Sequence, residues 1–320
     1  MKGLHKSIKK LMLFGQMILL SSGCIPDVVH SQHVEHKEVS RAEYREESPL
    51  GTWWWNNQDM EMQQLMTFAA AQGVNEIYWS VGFTRPHWCA ETVVEFMTAA
   101  YENGIRVYYL TGDWSWIHDD EGLISRLEAF TKWQEEACDI TRFAGVHLNI
   151  EPHQDPAWKD GDTDTRNRLL QNYIDLKVRV TDRFGKMDWS VPFWWTGEEP
   201  YLVNYRGEKM HLYQASILEA NRVFVMSYRN TAEETYHIGQ HYVDFAREVG
   251  RPIFLSALVK PGSENPEYDH VFYYLKGFDY MENELAKLRE LVDYSALGIA
   301  VHDICGWYEM WKRDVYDIIQ

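Results

Sequence analysis

Cysteine is scarce in this 320-residue chain, and the four it has, Cys24, Cys89, Cys138 and Cys305, lie far apart. Such spacing excludes a compact zinc cluster and offers no framework of paired bridges. Positive charge is short as well: 31 Lys and Arg face 48 Asp and Glu, for a net charge of −17. A surface of that sign repels nucleic acid and anionic lipid headgroups and leaves neutral or cationic partners. Long apolar runs are missing too, since residues 11–20 fall well short of the about 20 that a membrane-spanning helix needs. No Gly-rich loop follows the first strand run, where Asn56-Asn57-Gln58-Asp59 stands. A nucleotide-binding open sheet loses its main support by that absence. No internal repeat breaks the chain into similar units.

What is present begins with a basic leader. Lys2, Lys6, Lys9 and Lys10 precede the apolar residues 11–20, the order of a signal peptide, assigned here to residues 1–23. The junction Leu19-Leu20-Ser21-Ser22-Gly23-Cys24 resembles the bacterial lipobox, although Ser21 stands where an apolar residue is usual. The resemblance implies lipidation of Cys24, a membrane anchor, and a place in the bacterial cell envelope facing the periplasm or exterior. Ordinary signal cleavage nearby is the alternative. Residues 24–49 are polar and mixed in charge, with neither helical nor strand period, and read as a flexible tether. Removal of a leader whose charged side chains are four lysines leaves the remainder more acidic still.

From Gly51 onward short apolar runs alternate with longer amphipathic ones, the pattern of βα units and a parallel sheet. Eight strands are predicted, at residues 52–56, 76–82, 106–112, 145–151, 188–193, 222–228, 252–259 and 298–303. Helices are predicted at 60–72, 90–102, 123–137, 166–183, 231–249 and 270–292, with a shorter one around 212–220. Gly73, Gly104, Gly185 and Gly250 stand near the ends of four of them, placed to take the left-handed cap conformation just before the next strand. The predicted fold is one (β/α)8 barrel over residues 50–320, and about 270 residues is the size such a barrel takes.

The segment Gly145-Val146-His147-Leu148-Asn149-Ile150-Glu151-Pro152-His153 organises the rest. A period of two puts Val146, Leu148 and Ile150 on one face and His147, Asn149 and Glu151 on the other, and Pro152 stops the ladder. Polar side chains on that second face need hydrogen-bond partners. The pattern fits a strand that delivers a carboxyl to a site, and it also fits satisfied polar residues in a core. In a barrel of this class chemistry sits at the C-terminal strand ends, and those ends carry an unusual number of aromatics. They offer Trp53, Trp54, Trp55 and Asn56, then Trp79 and Ser80, then Asp113, Trp114 and Trp116. The later ends offer Asn149, Glu151 and His153, then Trp194 and Trp195, Tyr228 and Arg229, Ser256 and Lys260, and finally His302, Asp303 and Trp307. With 14 Trp and 19 Tyr in the chain, such a rim suits a carbohydrate cleft, because aromatic faces stack on the C–H faces of sugar rings. A well-filled core uses aromatics too.

Three short stretches resemble family 18 glycoside hydrolases, the chitinase-like barrels. Ala144 to Glu151 looks like that family's fourth-strand signature ending in the catalytic Glu; Val225-Met226-Ser227-Tyr228 is similar to its Met-x-Tyr motif; Gly298-Ile299-Ala300-Val301-His302 falls where its last strand ends in Trp. The resemblance implies Glu151 as general acid and Tyr228 as a hydroxyl near the reacting sugar. Asn149, His147 and His302 depart from the family pattern, which has acids at the first two places and Trp at the third. An amide still hydrogen-bonds an acetamide, but it supplies no charge to an oxazolinium-like intermediate. A two-carboxylate mechanism instead needs a partner for Glu151, for which Asp113 and Asp303 are the candidates; about 5 Å between carboxyls implies retention and roughly 6.5 to 9.5 Å inversion. An aromatic setting is expected to raise the Glu151 carboxyl by desolvating its ion. The expected sugar contacts are Asn149, His147, His153, His302, Trp53, Trp55, Trp79, Trp114, Trp194 and Trp307, with Trp114, Trp194 and Trp307 as stacking platforms.

Three functions compete on these residues. The first is a surface glycoside hydrolase, and the second a catalytically silent sugar-binding barrel, which Asn149 and His147 favour. The third is a metal-dependent hydrolase built on His147, Glu151, His153, His302 and Asp303; no His-x-His opens the first strand, and successive polar residues on one strand seldom all reach one ion. No cofactor or resident metal is implied.

Overall fold

A computed structural model describes residues 49–55, 61–81, 91–196, 201–260 and 268–316. The leader, Cys24, nearly all of the proposed tether and Asn56 lie outside them. The strands are β1 (Leu50–Trp55), β2 (Glu76–Ser80), β3 (Arg106–Thr111), β4 (Gly145–Leu148), β5 (Asp188–Pro192), β6 (Leu202–Tyr205), β7 (Glu208–His211), β8 (Val223–Met226), β9 (Ile253–Leu258) and β10 (Leu297–His302). Eight of them run parallel in a closed barrel, ordered β1-β10-β9-β8-β5-β4-β3-β2, while β6 and β7 form a separate antiparallel hairpin. The helices are α1 (Met62–Ala71), α2 (Glu91–Glu102), α3 (Glu121–Glu136), α4 (Pro156–Asp160), α5 (Thr163–Phe184), α6 (Leu212–Leu218), α7 (Ala232–Glu248), α8 (Phe278–Leu291) and α9 (Ile304–Trp311). This is the predicted (β/α)8 barrel. Gly73, Gly104, Gly185 and Gly250 all take positive φ, as expected.

Local chemistry starts the long helices where the amphipathic pattern begins. The Asp162 side chain accepts from the Thr165 backbone N–H ahead of α5, and that of Thr231 from Glu234 N–H ahead of α7, satisfying donors that the first turn leaves without partners. The structure also differs from expectation in this layer. α8 begins at Phe278 rather than near residue 270, and the irregular stretch before α6 contains the β6–β7 hairpin.

Strand alternation divides the core in two. Residues facing the barrel axis include Trp53, Tyr78, Tyr108, Leu110, Phe224, Phe254 and Ala300, which pack on one another; Phe224 and Phe254 stack with ring centroids 4.1 Å apart. The opposite phase packs beneath the helices, where Trp54 stacks on Trp79 at 5.5 Å and both meet Phe96. At the N-terminal end of the barrel a buried ion cluster closes the interior. Arg222 donates to both oxygens of Glu76 at 2.8 Å and to Asp188 at 2.6 and 3.0 Å. Arg106 and Tyr78 also donate to Glu76, at 2.5 and 2.7 Å. Charges taken from water hold only with this degree of mutual satisfaction, and the chemistry is left to the other end.

Candidate active site

β4 ends at Leu148, so Asn149, Ile150 and Glu151 continue beyond the ladder instead of forming its last rungs. The Asn149 N–H still bonds Thr111 O at 3.0 Å, which keeps the segment in register and directs Asn149 and Glu151 to the same face as His147. Close approach is possible because residue 112 is glycine: a Cβ there would lie 1.9 Å from Asn149 O. Pro152 then opens a single 3-10 turn, Pro152–Gln154, and brings His153 back over the carboxyl.

Glu151 is half-buried and held from two directions. Asn149 Nδ2 donates to its Oε1 at 3.0 Å, and His153 Nε2 lies 3.1 Å from its Oε2. Burial pushes the carboxyl up. The hydrogen bond and charge of His153, with hydrogen bonds from Asn149 and Gln154, outweigh burial and bring it below the ordinary range. The expected rise is therefore corrected: the nearest neighbours of the carboxyl are donors, and they favour its ion.

Across the mouth stands β10, four strands away from β4 in either direction around the ring. It carries His302 and leads into Asp303. Trp55 Nε1 donates to His302 Nε2 at 3.2 Å; because an indole nitrogen can only donate, that imidazole nitrogen is unprotonated. Burial agrees, pulling His302 below its usual range even though the charges of Asp303 and Glu151 act the other way. Tyr228, just past β8, is half-buried, and its phenol is pushed up by burial and then by the charges of Glu151 and Asp303. It stays a hydroxyl donor. The charges of Glu151 and Asp303 thus both act on Tyr228 and on His302.

The other expected residues separate clearly. Asp303 caps α9, accepting from Gly306 N–H at 2.9 Å. Asp113 is exposed, and its carboxylate caps the turn Trp114–Ile117 by accepting from Ser115 N–H and Oγ at 2.9 and 2.7 Å; its hydrogen bonds are made within that turn and not to Glu151. Trp55, Trp114 and Trp194 are half-buried at the rim. Four expected sugar contacts are corrected. Trp79 has the outward strand phase and is buried beneath the helices, and Trp307, 0 % exposed on α9, packs edge-on against Phe68 of α1. Trp53 is 2 % exposed within the barrel. His147 is fully buried there, with Nε2 2.8 Å from Ser190 Oγ and its ring among Trp53, Tyr78 and Phe224. Burial holds His147 neutral. It supports the floor beneath Asn149, as the core-polar reading of this strand allowed.

The sequence reading missed Trp158 and Tyr201. Trp158, on α4, and Tyr201, before β6, meet Trp194 with ring centroids at 5.5 and 6.0 Å. The pair Asp155-Pro156 is a helix-start signal that could have located α4. Among the described residues no group of three or more His, Cys, Asp or Glu is arranged to hold a metal ion.

No family model matches the chain, and no curated protein does. Solved structures do. A class V chitinase mutant from Cycas revoluta in complex with (GlcNAc)3 is 10% identical, covering 85% of this chain and 100% of its own, at a TM-score of 0.50. An endo-β-1,4-mannanase double mutant from Cellulomonas fimi is 10% identical over 80% of this chain and 65% of its own, with a TM-score of 0.49. The spore cortex-lytic enzyme SleL of Bacillus megaterium is 13% identical over 83% and 74%, with a TM-score of 0.41. At 10% identity, what the Cycas chitinase shares with this chain is the barrel.

Proposed function

We propose that this chain is a glycoside hydrolase of the cell envelope, with Glu151 as general acid and Asp303 as the carboxylate across the mouth. The observation that carries the reading is that Glu151 follows β4 and Asp303 follows β10, opposite strands of the ring, so that both carboxyls stand at the C-terminal end of the barrel, where their charges act on Tyr228 and His302. Tyr228, which burial keeps protonated, is the hydroxyl assigned to the reacting sugar, and the half-buried Trp55, Trp114 and Trp194 are assigned as its aromatic surfaces. A neutral glycan suits the acidic surface. Oligomers of N-acetylglucosamine, which the Cycas chitinase holds, and β-1,4-mannan oligomers are the first substrates to try.

Glu151→Gln preserves shape and removes the proton. Hydrolysis of any glycan the native protein cleaves is expected to fall about 10²- to 10⁴-fold while binding persists. Full activity in that variant would reject the assignment. The second reading, a silent sugar-binding barrel, is favoured by the hold of His153 and Asn149 on the Glu151 carboxylate; binding without cleavage across both oligomer series would put it ahead. For the anchor we propose lipidation of Cys24, supported by the leader and the Ser21-Ser22-Gly23-Cys24 junction. Cys24→Ala is expected to move the protein out of the membrane fraction or leave its precursor uncut, and unchanged fractionation and processing would refute lipidation.

A further inference from the structure

Trp194 and Trp195 are adjacent in sequence but have separate surroundings. Trp195 is fully buried, packed on Tyr173 of α5 at 5.2 Å. Trp194 is only half-buried and joins Trp158 and Tyr201, themselves half-buried, in a triangle of rings with centroids 5.5, 6.0 and 6.2 Å apart. The three residues come from three segments: α4, the turn after β5, and the approach to β6. The group is continuous with the candidate site through His153, whose ring lies 5.4 Å from Trp194 and whose Nε2 lies 3.1 Å from Glu151.

Trp158 is held in position by the protein itself. Asp155 caps α4 by accepting from Ala157 N–H at 2.7 Å, and its other oxygen is 2.5 Å from His118 Nε2. Arg166 Nε donates to Trp158 O at 3.1 Å, and its guanidinium sits 5.7 Å from the Trp158 ring centre. A five-residue helix fastened in this way presents its aromatic side chain without a ligand to order it, which lowers the entropy lost on binding.

We propose that Trp158, Trp194 and Tyr201 form a stacking subsite for an uncharged pyranose ring of a glycan chain whose scissile bond lies at Glu151. The proposal rests on the glycoside hydrolase reading above and gives it a direction. β10 lies opposite β4, so a chain crossing the mouth has one side of its scissile bond towards His302 and Asp303. The other end runs past His153 onto the three rings. Apolar C–H faces of the sugar complement the aromatic faces, and the net charge of −17 disfavours acidic glycans. The subsite lies beyond the rings flanking the scissile bond, so it is expected to discriminate by chain length.

The test uses the full chain carrying Glu151→Gln to stop turnover, titrated with di-, tetra- and hexasaccharides of N-acetylglucosamine and of β-1,4-mannose. Trp158→Ala is expected to weaken hexasaccharide binding about 3- to 10-fold and to leave the disaccharide unchanged, while Trp158→Phe recovers most of the loss. Tyr201→Ala, on a separate segment, is expected to give the same length-dependent loss, so the failure of one variant to fold leaves the other to decide. A parent that binds the hexasaccharide but is indifferent to both alanine substitutions, or loses affinity equally at every length, overturns the subsite and spares the hydrolase reading. A parent that binds no oligosaccharide of either series overturns both.

Discussion

At the scale of residues, the candidate site turns on what surrounds one carboxyl. Burial alone would favour a neutral Glu151, but His153 and Asn149 favour its ion and prevail. A general acid acts only while protonated, so hydrolysis should decline as pH rises through the Glu151 pKa, and a depressed pKa places that decline on the acidic side. His153→Gln keeps a donor and removes the charge. With the charge gone the pKa rises, and the basic limb of the kcat/KM profile is expected to move to higher pH. A limb that stays in place, with activity otherwise retained, would show that His153 does not set the proton on Glu151. His302 is a poor substitute acid in either variant, because its Nε2 already accepts from Trp55.

At the scale of elements, the barrel was legible because short apolar runs alternate with amphipathic ones and four of the helices end at or just before a Gly of positive φ, Gly73, Gly104, Gly185 and Gly250. The strand carrying Glu151 was found by its period of two, and Asp303 and Tyr228 by their places at strand ends. The same rule applied consistently would have excluded Trp79, which stands one residue after the inward-facing Tyr78. Trp307, a turn into α9, follows a helical period that turns it towards α1. Other features had no local signal. Arg222 meets Glu76 across 146 positions of sequence, and a contact of that range exists only once the barrel closes. Gly112 carries no side chain to attract notice, yet its missing Cβ lets the Asn149–Glu151 segment cross so close to β3. The hairpin strands have four residues each and α4 five, too few to display a period.

At the scale of the whole molecule, two buried cationic side chains have opposite consequences for stability. Arg222 is matched by Glu76 and Asp188 and stays charged. Lys177 of α5 is fully buried, and its Nζ has no hydrogen-bond partner among the described residues. The carboxylate that acts on it most, Glu219, is committed to Tyr205 at 2.6 Å and to Arg206 at 3.0 Å. The Trp189 ring, 4.6 Å from Nζ, offers a desolvated cation about 2 kcal/mol or somewhat more, against a desolvation cost of several kcal/mol. Burial therefore prevails and pulls the Lys177 pKa well below its ordinary value of 10.5. The unfolded chain then binds a proton that the folded chain lacks, so this residue's contribution to stability falls as pH drops through the window between the two pKa values. Lys177→Met keeps an unbranched side chain one atom shorter and removes the titration. The variant is expected to be more stable than the native protein by about 1–3 kcal/mol at neutral pH, with a gain that shrinks towards pH 10. Urea unfolding at several pH values checks this: a gain independent of pH, or a loss at neutral pH, would mean that Lys177 is held charged by the fold after all.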